Sequence, residues 1–169
     1  MGKKPALIDP STLDVTHVLA TQEDIRQYNR QRFEMEMLTG VLYTDDDAGI
    51  CVGYQDVRED AFWCRGHMPG FPLMPGVLIC EAAAQLASFY VAHRYHPPEG
   101  IIIGFGGLDE VKFRGVVRPG DRLFLTVRLL KYRPNVMMVL DFEATVNGEV
   151  VTEGKIKGVA VRMPENAEN

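Results

Sequence analysis

Hydrophobic residues concentrate in one long run near the middle of the chain. Across residues 77–92 nearly every position is apolar, the exceptions being Glu81, Gln85 and Ser88. Apolar side chains around the whole circumference are typical of a helix that is buried on all sides. Three prolines and three glycines in residues 66–76 disfavour regular structure there. The pattern therefore predicts a stiff loop followed by a buried helix that begins just after Pro75 and Gly76.

Strand-like segments lie on both sides of this helix. Before it, residues 41–44 and 50–57 predict a hairpin; after it come residues 101–105, 108–117, 123–132, 136–146 and 149–161. Turns are predicted at residues 118–121 and at Asn147-Gly148, a strong hairpin signal. Consecutive antiparallel strands after one buried helix predict an α+β fold, an antiparallel sheet wrapped around one long central buried helix.

The chain ends differ from this central region. Residues 1–39 predict an N-terminal arm, in which Thr21 and Asp24 form the cap of a short helix through about Tyr28. Residues 33–41 leave helix and strand equally open. Residues 163–169 follow the last strand as a C-terminal tail. The glycines at 104–107 lack the full spacing of a phosphate-binding loop, so they predict a bulge.

Composition and charge limit the classes of function. With 169 residues, 46% apolar and 24% charged, the chain predicts one globular domain, and a net charge of -5 argues against nucleic-acid binding. The apolar run is interrupted and lies too far along the chain for a signal peptide, so we expect no membrane span and a cytoplasmic location. The odd number of cysteines predicts free thiols. Cys64 and His67 resemble half a zinc site without a second ligand pair, so we expect no metal. We expect no cofactor either.

The polar exceptions in the helix are the first candidates for chemistry. Glu81, Gln85 and Ser88 are spaced i, i+4, i+7 and share one narrow stripe. A buried carboxylate needs a partner or a proton, so the stripe indicates either a structural network or a site. His67 precedes Glu81 by fourteen residues, and a loop folding back could bring the two together. In the structural alternative His67 is a turn residue and Glu81 pairs with an arginine such as Arg65 or Arg114.

The stretch HMPGFPLMPGVLICEAAAQ at residues 67–85 closely resembles the signature of the bacterial 3-hydroxyacyl-acyl-carrier-protein dehydratases of the FabZ type, which have the hotdog fold. The resemblance continues through residues 106–114, 117–123 and the last two strands. It implies a hotdog domain over residues 40–162. It also implies a lyase that dehydrates (3R)-hydroxyacyl thioesters of acyl carrier protein to trans-2-enoyl thioesters in fatty-acid or related acyl-chain synthesis.

The resemblance assigns roles to four residues. His67 would be the base that removes the proton next to the thioester carbonyl, because imidazole titrates near neutral pH. Glu81 would protonate the departing hydroxyl, directly or through a water, and burial favours the protonated form that this role needs. A glutamate here, where a related branch has aspartate, favours dehydration without isomerisation. The N–H of Gly76 at the helix start would polarise the carbonyl. Gln85 would orient Glu81 or a water, or serve as a structural amide.

Two positions depart from the family pattern. The family commonly has phenylalanine at the position of Met68 and often a basic residue at that of Phe71. With Pro72, these residues are predicted to form the gate of the substrate tunnel. The departures put chain-length preference in question and leave the catalytic pair unchanged.

The resemblance also implies partners. Because the carrier protein is acidic, a cationic rim is expected, and the candidates are Lys112, Arg114, Arg118 and Arg122. The family forms homodimers or larger oligomers of dimers, with histidine and acid contributed by opposite subunits. Two alternatives remain: a hotdog thioesterase or hydratase acting on coenzyme A thioesters, and a non-catalytic protein that binds acyl chains or carrier protein.

Overall fold

The fold consists of seven strands and two α-helices, seen in a computed structural model that describes residues 7–164. Residues 1–6 of the predicted arm and 165–169 of the predicted tail lie outside the described residues. The elements in chain order are β1 (Ala20–Thr21), α1 (Gln22–Ile25), β2 (Gly40–Asp45), β3 (Ile50–Asp56), α2 (Gly76–Tyr95), β4 (Ile101–Phe113), β5 (Arg122–Arg133), β6 (Met137–Val146) and β7 (Glu149–Arg162).

The strands form one antiparallel sheet in the order β1-β2-β3-β5-β6-β7-β4. Helix α2 contacts every strand from β3 to β7, so the sheet curves around it and the predicted α+β arrangement is confirmed. The helix can pack closely against the sheet because its buried residues include small ones such as Ala82 and Ala83. At β3 a Cβ on Gly53 would lie 2.8 Å from Leu86 Cδ1, so glycine is needed where strand and helix meet.

Helix α2 begins where the sequence predicts. Pro75 occupies the N-cap and Gly76 is the first helical residue. The helix ends at Tyr95, after which His96 adopts a left-handed conformation with φ 46° and two prolines prevent further helix. By length and hydropathy α2 would also suit a membrane span, but 56% of its most apolar window is buried inside the protein. Packing against the sheet accounts for its apolar composition.

The prediction that α2 is buried on all sides is wrong. Val77 is 71% exposed, and Glu81, Ala84, Ser88 and Ala92 are only half-buried. These positions recur at intervals of three or four residues and share one side of the helix. The sheet covers the opposite side, and one face of α2 therefore stays open toward grooves at the surface.

Two predicted strands are one strand in the structure. Residues 101–105 and part of 108–117 form the single strand β4, which lies at an edge of the sheet and pairs with β7. Register shifts occur between Phe105 and Gly107 and between Asp109 and Lys112, so the predicted bulge at 104–107 is confirmed. A bulge absorbs the glycines without ending the pairing, which sequence periodicity does not reveal.

The N-terminal arm contributes to the sheet and the core. The predicted cap is confirmed as a reciprocal capping box of Thr21 and Asp24, although the helix ends at Ile25 and turns continue to residue 28. The ambiguous segment 33–41 forms a 3-10 turn, Phe33–Met35, and then enters β2. Strand β1 pairs with β2, and Met37 and Leu38 are buried. The domain boundary at residues 39/40 stays a prediction.

The cysteines are free thiols, as predicted. Cys51 and Cys80 are buried and Cys64 is half-buried. Burial raises the pKa of the Cys51 and Cys80 thiols above the ordinary range. Between residues 7 and 164, no three His, Cys, Asp or Glu side chains cluster in a way that could hold a metal ion.

Candidate active site

His67 is held by hydrogen bonds of its backbone and of its ring. Its amide donates to the Trp63 carbonyl at 2.8 Å, and its own carbonyl accepts from the Leu73 amide at 2.9 Å. The ring Nδ1 lies 2.8 Å from the Leu73 carbonyl oxygen. A carbonyl only accepts, so Nδ1 carries the hydrogen. In the neutral ring Nε2 is then the unprotonated nitrogen, which is the state required of a base.

Gly76 lies next to His67 at the start of α2. Both residues line a cavity of about 380 Å³ whose other walls include Val77, Phe113 and Val116. As the first residue of the helix, Gly76 has no acceptor for its N–H within the helix, and the positive end of the helix dipole lies here. The nearest atoms to a Cβ built on Gly76 belong to the Phe113 ring, at 2.6 Å. The cavity therefore combines a base, a dipole and apolar walls.

Glu81 and Gln85 form a second group. Gln85 Nε2 donates to Glu81 Oε1 at 2.9 Å. The structural alternative paired Glu81 with an arginine such as Arg114. In the structure Arg114 instead donates from Nε to Glu153 Oε1 at 3.1 Å. Glu81 lines a different cavity, of about 190 Å³, together with Ser88 and residues of β4 and β7.

His67 and Glu81 thus face two different cavities of the chain. Glu81 is five positions beyond Gly76, which turns it about 140° around a helix with 3.6 residues per turn. Gly76 and Glu81 therefore point to different sides of α2, and although Val77, one turn before Glu81, borders the cavity of His67 and Gly76, Glu81 lines the other cavity. Folding of the loop onto the helix does not by itself bring His67 and Glu81 to one cavity.

The predicted gate residues lie on the outside of the loop. Met68 and Phe71 are each about half exposed, Pro72 is half-buried, and the Phe71 amide donates to the Met68 carbonyl at 2.9 Å. The peptide bond between His67 and Met68 is cis. The Arg118 guanidinium lies 4.3 Å from the centre of the Phe71 ring, a cation–π contact that connects the loop to the turn before β5.

The four predicted cationic residues do not form one cluster of free charges. Arg114 pairs with Glu153, as described above, and Arg122 makes a two-pronged ion pair with Asp56 at 2.6 and 2.9 Å. Lys112 is exposed on β4. Of the four, Arg118 is the one that contacts a predicted gate residue.

Sequence reasoning missed the contribution of the N-terminal arm. Gln85 Nε2 also donates to the Met35 carbonyl at 2.7 Å, and Gln85 Oε1 accepts from the Met37 amide at 3.1 Å. Asn29 Nδ2 donates to the Gln85 carbonyl at 2.9 Å. Two of these partners are backbone groups, which leave no side-chain signal in a sequence.

The fold is an antiparallel sheet around one helix. A histidine at the start of this helix and a glutamate on its open face are groups suited to acid–base chemistry. The FabA-like domain model matches residues 29–155. The dehydratase named 3-hydroxyacyl-acyl-carrier-protein dehydratase FabZ from Shewanella sp. (strain MR-4) is 35% identical over 150 residues, covering 86% of this chain and 91% of the relative. Its namesake from Sorangium cellulosum (strain So ce56) is 35% identical, covering 87% and 90%.

Solved structures agree on the fold. The dehydratase heterocomplex ApeI:P from Xenorhabdus doucetiae matches with TM-score 0.66 at 16% identity, covering 84% of this chain and 91% of that one. A hot-dog-like protein from Thermanaerovibrio acidaminovorans matches with TM-score 0.53 at 20% identity, covering 67% and 81%. The predicted hotdog fold is confirmed. The chain belongs to the FabA-like family, and its curated relatives of about one-third identity are FabZ dehydratases.

Proposed function

We propose that this chain dehydrates (3R)-hydroxyacyl thioesters of acyl carrier protein to trans-2-enoyl thioesters, in fatty-acid or related acyl-chain synthesis. The observation that carries the proposal is the His67 ring, whose Nδ1 is engaged with the Leu73 carbonyl and whose Nε2 is available as a base. The similarity to the FabZ dehydratases supports the same reaction. The cytoplasmic location expected from the sequence stays a prediction.

In the proposed reaction, His67 Nε2 takes the proton from C2 of the substrate. The C2–H electron pair forms the C2=C3 double bond as the C3–O bond breaks, and Glu81 protonates the departing hydroxyl, which leaves as water. The Gly76 N–H and the helix dipole stabilise negative charge on the thioester oxygen. His67 then releases the C2 proton to solvent and Glu81 takes up a proton from solvent, so the enzyme regains its starting state.

We propose that the complete site needs two copies of the chain, because His67 and Glu81 face different cavities. Exposed apolar residues border both: Phe113, which is 55% exposed, and Val116 beside His67, and Phe105 beside Glu81. All three lie on or just after the edge strand β4. If two β4 edges pair antiparallel about Asp109, Phe113 of one copy lies opposite Phe105 of the other. This pairing would bring His67 of one subunit to Glu81 of its partner.

Complementation between inactive variants tests the shared site. His67→Ala and Glu81→Gln chains are each assayed alone and then as a mixed dimer purified through two different tags. A mixed dimer would contain one site with intact His67 and Glu81 and one with neither, so about half of wild-type activity should return. No recovery in a verified mixed dimer would contradict the shared site.

The reaction itself is tested with purified protein and 3-hydroxyacyl or enoyl thioesters on carrier protein and on coenzyme A. The readout is the absorbance of the conjugated enoyl product. We expect interconversion on carrier protein and its loss in Glu81→Gln. Thioester hydrolysis would favour a thioesterase, conversion on coenzyme A alone a hydratase, and no turnover on either a binding protein.

For the carrier contact we propose Arg118 with Phe71 as the principal element of the predicted cationic group. Arg118 lies against an exposed gate residue, whereas Arg114 and Arg122 are engaged by carboxylates. Arg118→Ala should raise KM for carrier-bound substrate roughly 2- to 5-fold, as for an exposed charge contact, and leave KM for a pantetheine thioester unchanged. Arg128→Gln, which removes an arginine paired with Asp141, is the matched control.

A further inference from the structure

The side-chain amide of Gln85 is fixed by the N-terminal arm. Gln85 is 3% exposed, and its Nε2 donates to the Met35 carbonyl while its Oε1 accepts from the Met37 amide. Rotating the amide by half a turn would face N–H toward N–H and oxygen toward oxygen, so the backbone at residues 35 and 37 determines its orientation. The second Nε2 hydrogen is thereby directed to Glu81 Oε1 at 2.9 Å.

This orientation has a consequence for the Glu81 carboxyl. In a protonated carboxyl the carbonyl oxygen is the better acceptor, so the Gln85 N–H bond to Oε1 favours Oε2 as the oxygen that carries the proton. Glu81 lines the cavity beside β4. Gln85 thus restricts both the rotation of the carboxyl and the oxygen from which the proton departs.

The arm is itself firmly docked on the helix. Asn29 Nδ2 donates to the Gln85 carbonyl at 2.9 Å, and Asn29 is buried. Tyr28 packs edge-on against Phe89 with ring centres 5.4 Å apart. Among residues 7–164 the buried Asn29 Oδ1 has no hydrogen-bond partner. The Asn29 amide thus connects the arm to the helix through its nitrogen alone.

We propose that residues 29–37 are a positioning element of the active site, which acts through Gln85 to hold the Glu81 carboxyl in the orientation for proton donation. This inference rests on the proposed dehydratase function. Asn29 and Gln85 are positioning residues, because each acts on the reaction through Glu81. In the competing explanation, Gln85 merely satisfies buried backbone groups of the arm and has no effect on the chemistry.

A double-mutant cycle separates the two explanations. Gln85→Met keeps the length of the side chain without its hydrogen bonds, and Asn29→Ala removes the hydrogen bond between the arm and the Gln85 carbonyl. Each is measured in the native sequence and in a Glu81→Gln background, with single turnovers where the rate is low. Gln22→Ala is the matched control, because Gln22 is an amide of the same arm that donates to the Leu38 carbonyl at 3.3 Å and does not contact Gln85.

We expect Gln85→Met to lower kcat roughly 10- to 100-fold, the range for a hydrogen bond to a charged or ionisable group, with KM nearly unchanged. Asn29→Ala should lower kcat roughly 2- to 10-fold. In the Glu81→Gln background both effects should shrink to less than about twofold, because residues that act through one group are not additive. Gln22→Ala should leave kcat within about twofold of wild type in either background.

Equal losses in both backgrounds, or losses confined to KM, would overturn the positioning role. Inactivity of the native protein, or full activity of Glu81→Gln alone, would instead overturn the proposed function. Circular dichroism and thermal denaturation verify that each variant folds. If Gln85→Met does not fold, the cycle of Asn29→Ala with Glu81→Gln decides the question.

Discussion

The assignment of His67 as the base can be tested while its loop stays intact. In His67→Asn the side-chain amide nitrogen replaces Nδ1 and can still donate to the Leu73 carbonyl, a contact of 2.8 Å in the native protein. Asparagine has no group at the position of Nε2. The substitution therefore removes the base and keeps the hydrogen bond that closes the loop.

The expected magnitudes differ between activity and stability. Loss of a general base lowers kcat roughly 10²- to 10⁴-fold. Because the bond to Leu73 is kept, His67→Asn should change the free energy of unfolding by less than about 0.5 kcal/mol. His67→Ala, which leaves the Leu73 carbonyl without this partner, should cost about 0.5–1.5 kcal/mol and lose as much activity. The half-buried position of His67 favours the lower end of that range.

The assay follows enoyl thioester formation from 3-hydroxyacyl carrier protein, and urea denaturation of the same samples gives the free energy of unfolding. His67→Asn and His67→Ala should be equally inactive and unequally stable. Activity of His67→Asn within roughly tenfold of wild type, well short of the loss expected for a missing base, would refute the assignment of Nε2 as the base.

Three further predictions concern the core. Burial raises the pKa of the Tyr90 phenol to about 12. The stability that the buried, protonated phenol contributes is therefore complete below pH about 10 and is lost as the pH rises toward 12. Urea denaturation should show a smaller loss over that window in Tyr90→Phe, and an equal loss would contradict the shift. A limiting thiol reagent should modify half-buried Cys64 before buried Cys51, as read by peptide mass spectrometry; equal modification would contradict the core position of Cys51. In Gly158→Ala the new Cβ would lie 2.6 Å from Ile103 Cγ2; overpacking should lower the free energy of unfolding by about 1–3 kcal/mol, and an unchanged denaturation midpoint would contradict this.

The open face of α2 is largely apolar, and sequence alone does not distinguish it from a face that the same chain covers. The residues of that face include alanines and Val77, so composition alone indicated burial on all sides. A single chain leaves this face partly exposed, and the exposed apolar residues of β4 lie beside the same cavities. An apolar helix face that one copy cannot cover is the pattern expected when a second copy completes the core.

Local features of this protein follow from its sequence. Pro75 and Gly76 specify the helix start, Thr21 and Asp24 the capping box, and Asn147-Gly148 the last hairpin turn, because each depends on residues close together in the chain. The 67–85 motif likewise indicated the family, because its residue types recur at fixed spacing. These signals need no knowledge of distant contacts.

Other features were decided by tertiary structure. The arm contacts the Gln85 amide through backbone groups 48 and 50 positions away in sequence, and no pattern of side chains reports such contacts. The pairing of Arg122 with Asp56, 66 positions away, likewise depends on β3 lying beside β5. Sequence thus determined which groups are available for acid–base chemistry. Tertiary packing decided which of them share a cavity, which charges are neutralised and what holds Glu81, because those relations depend on contacts between distant segments.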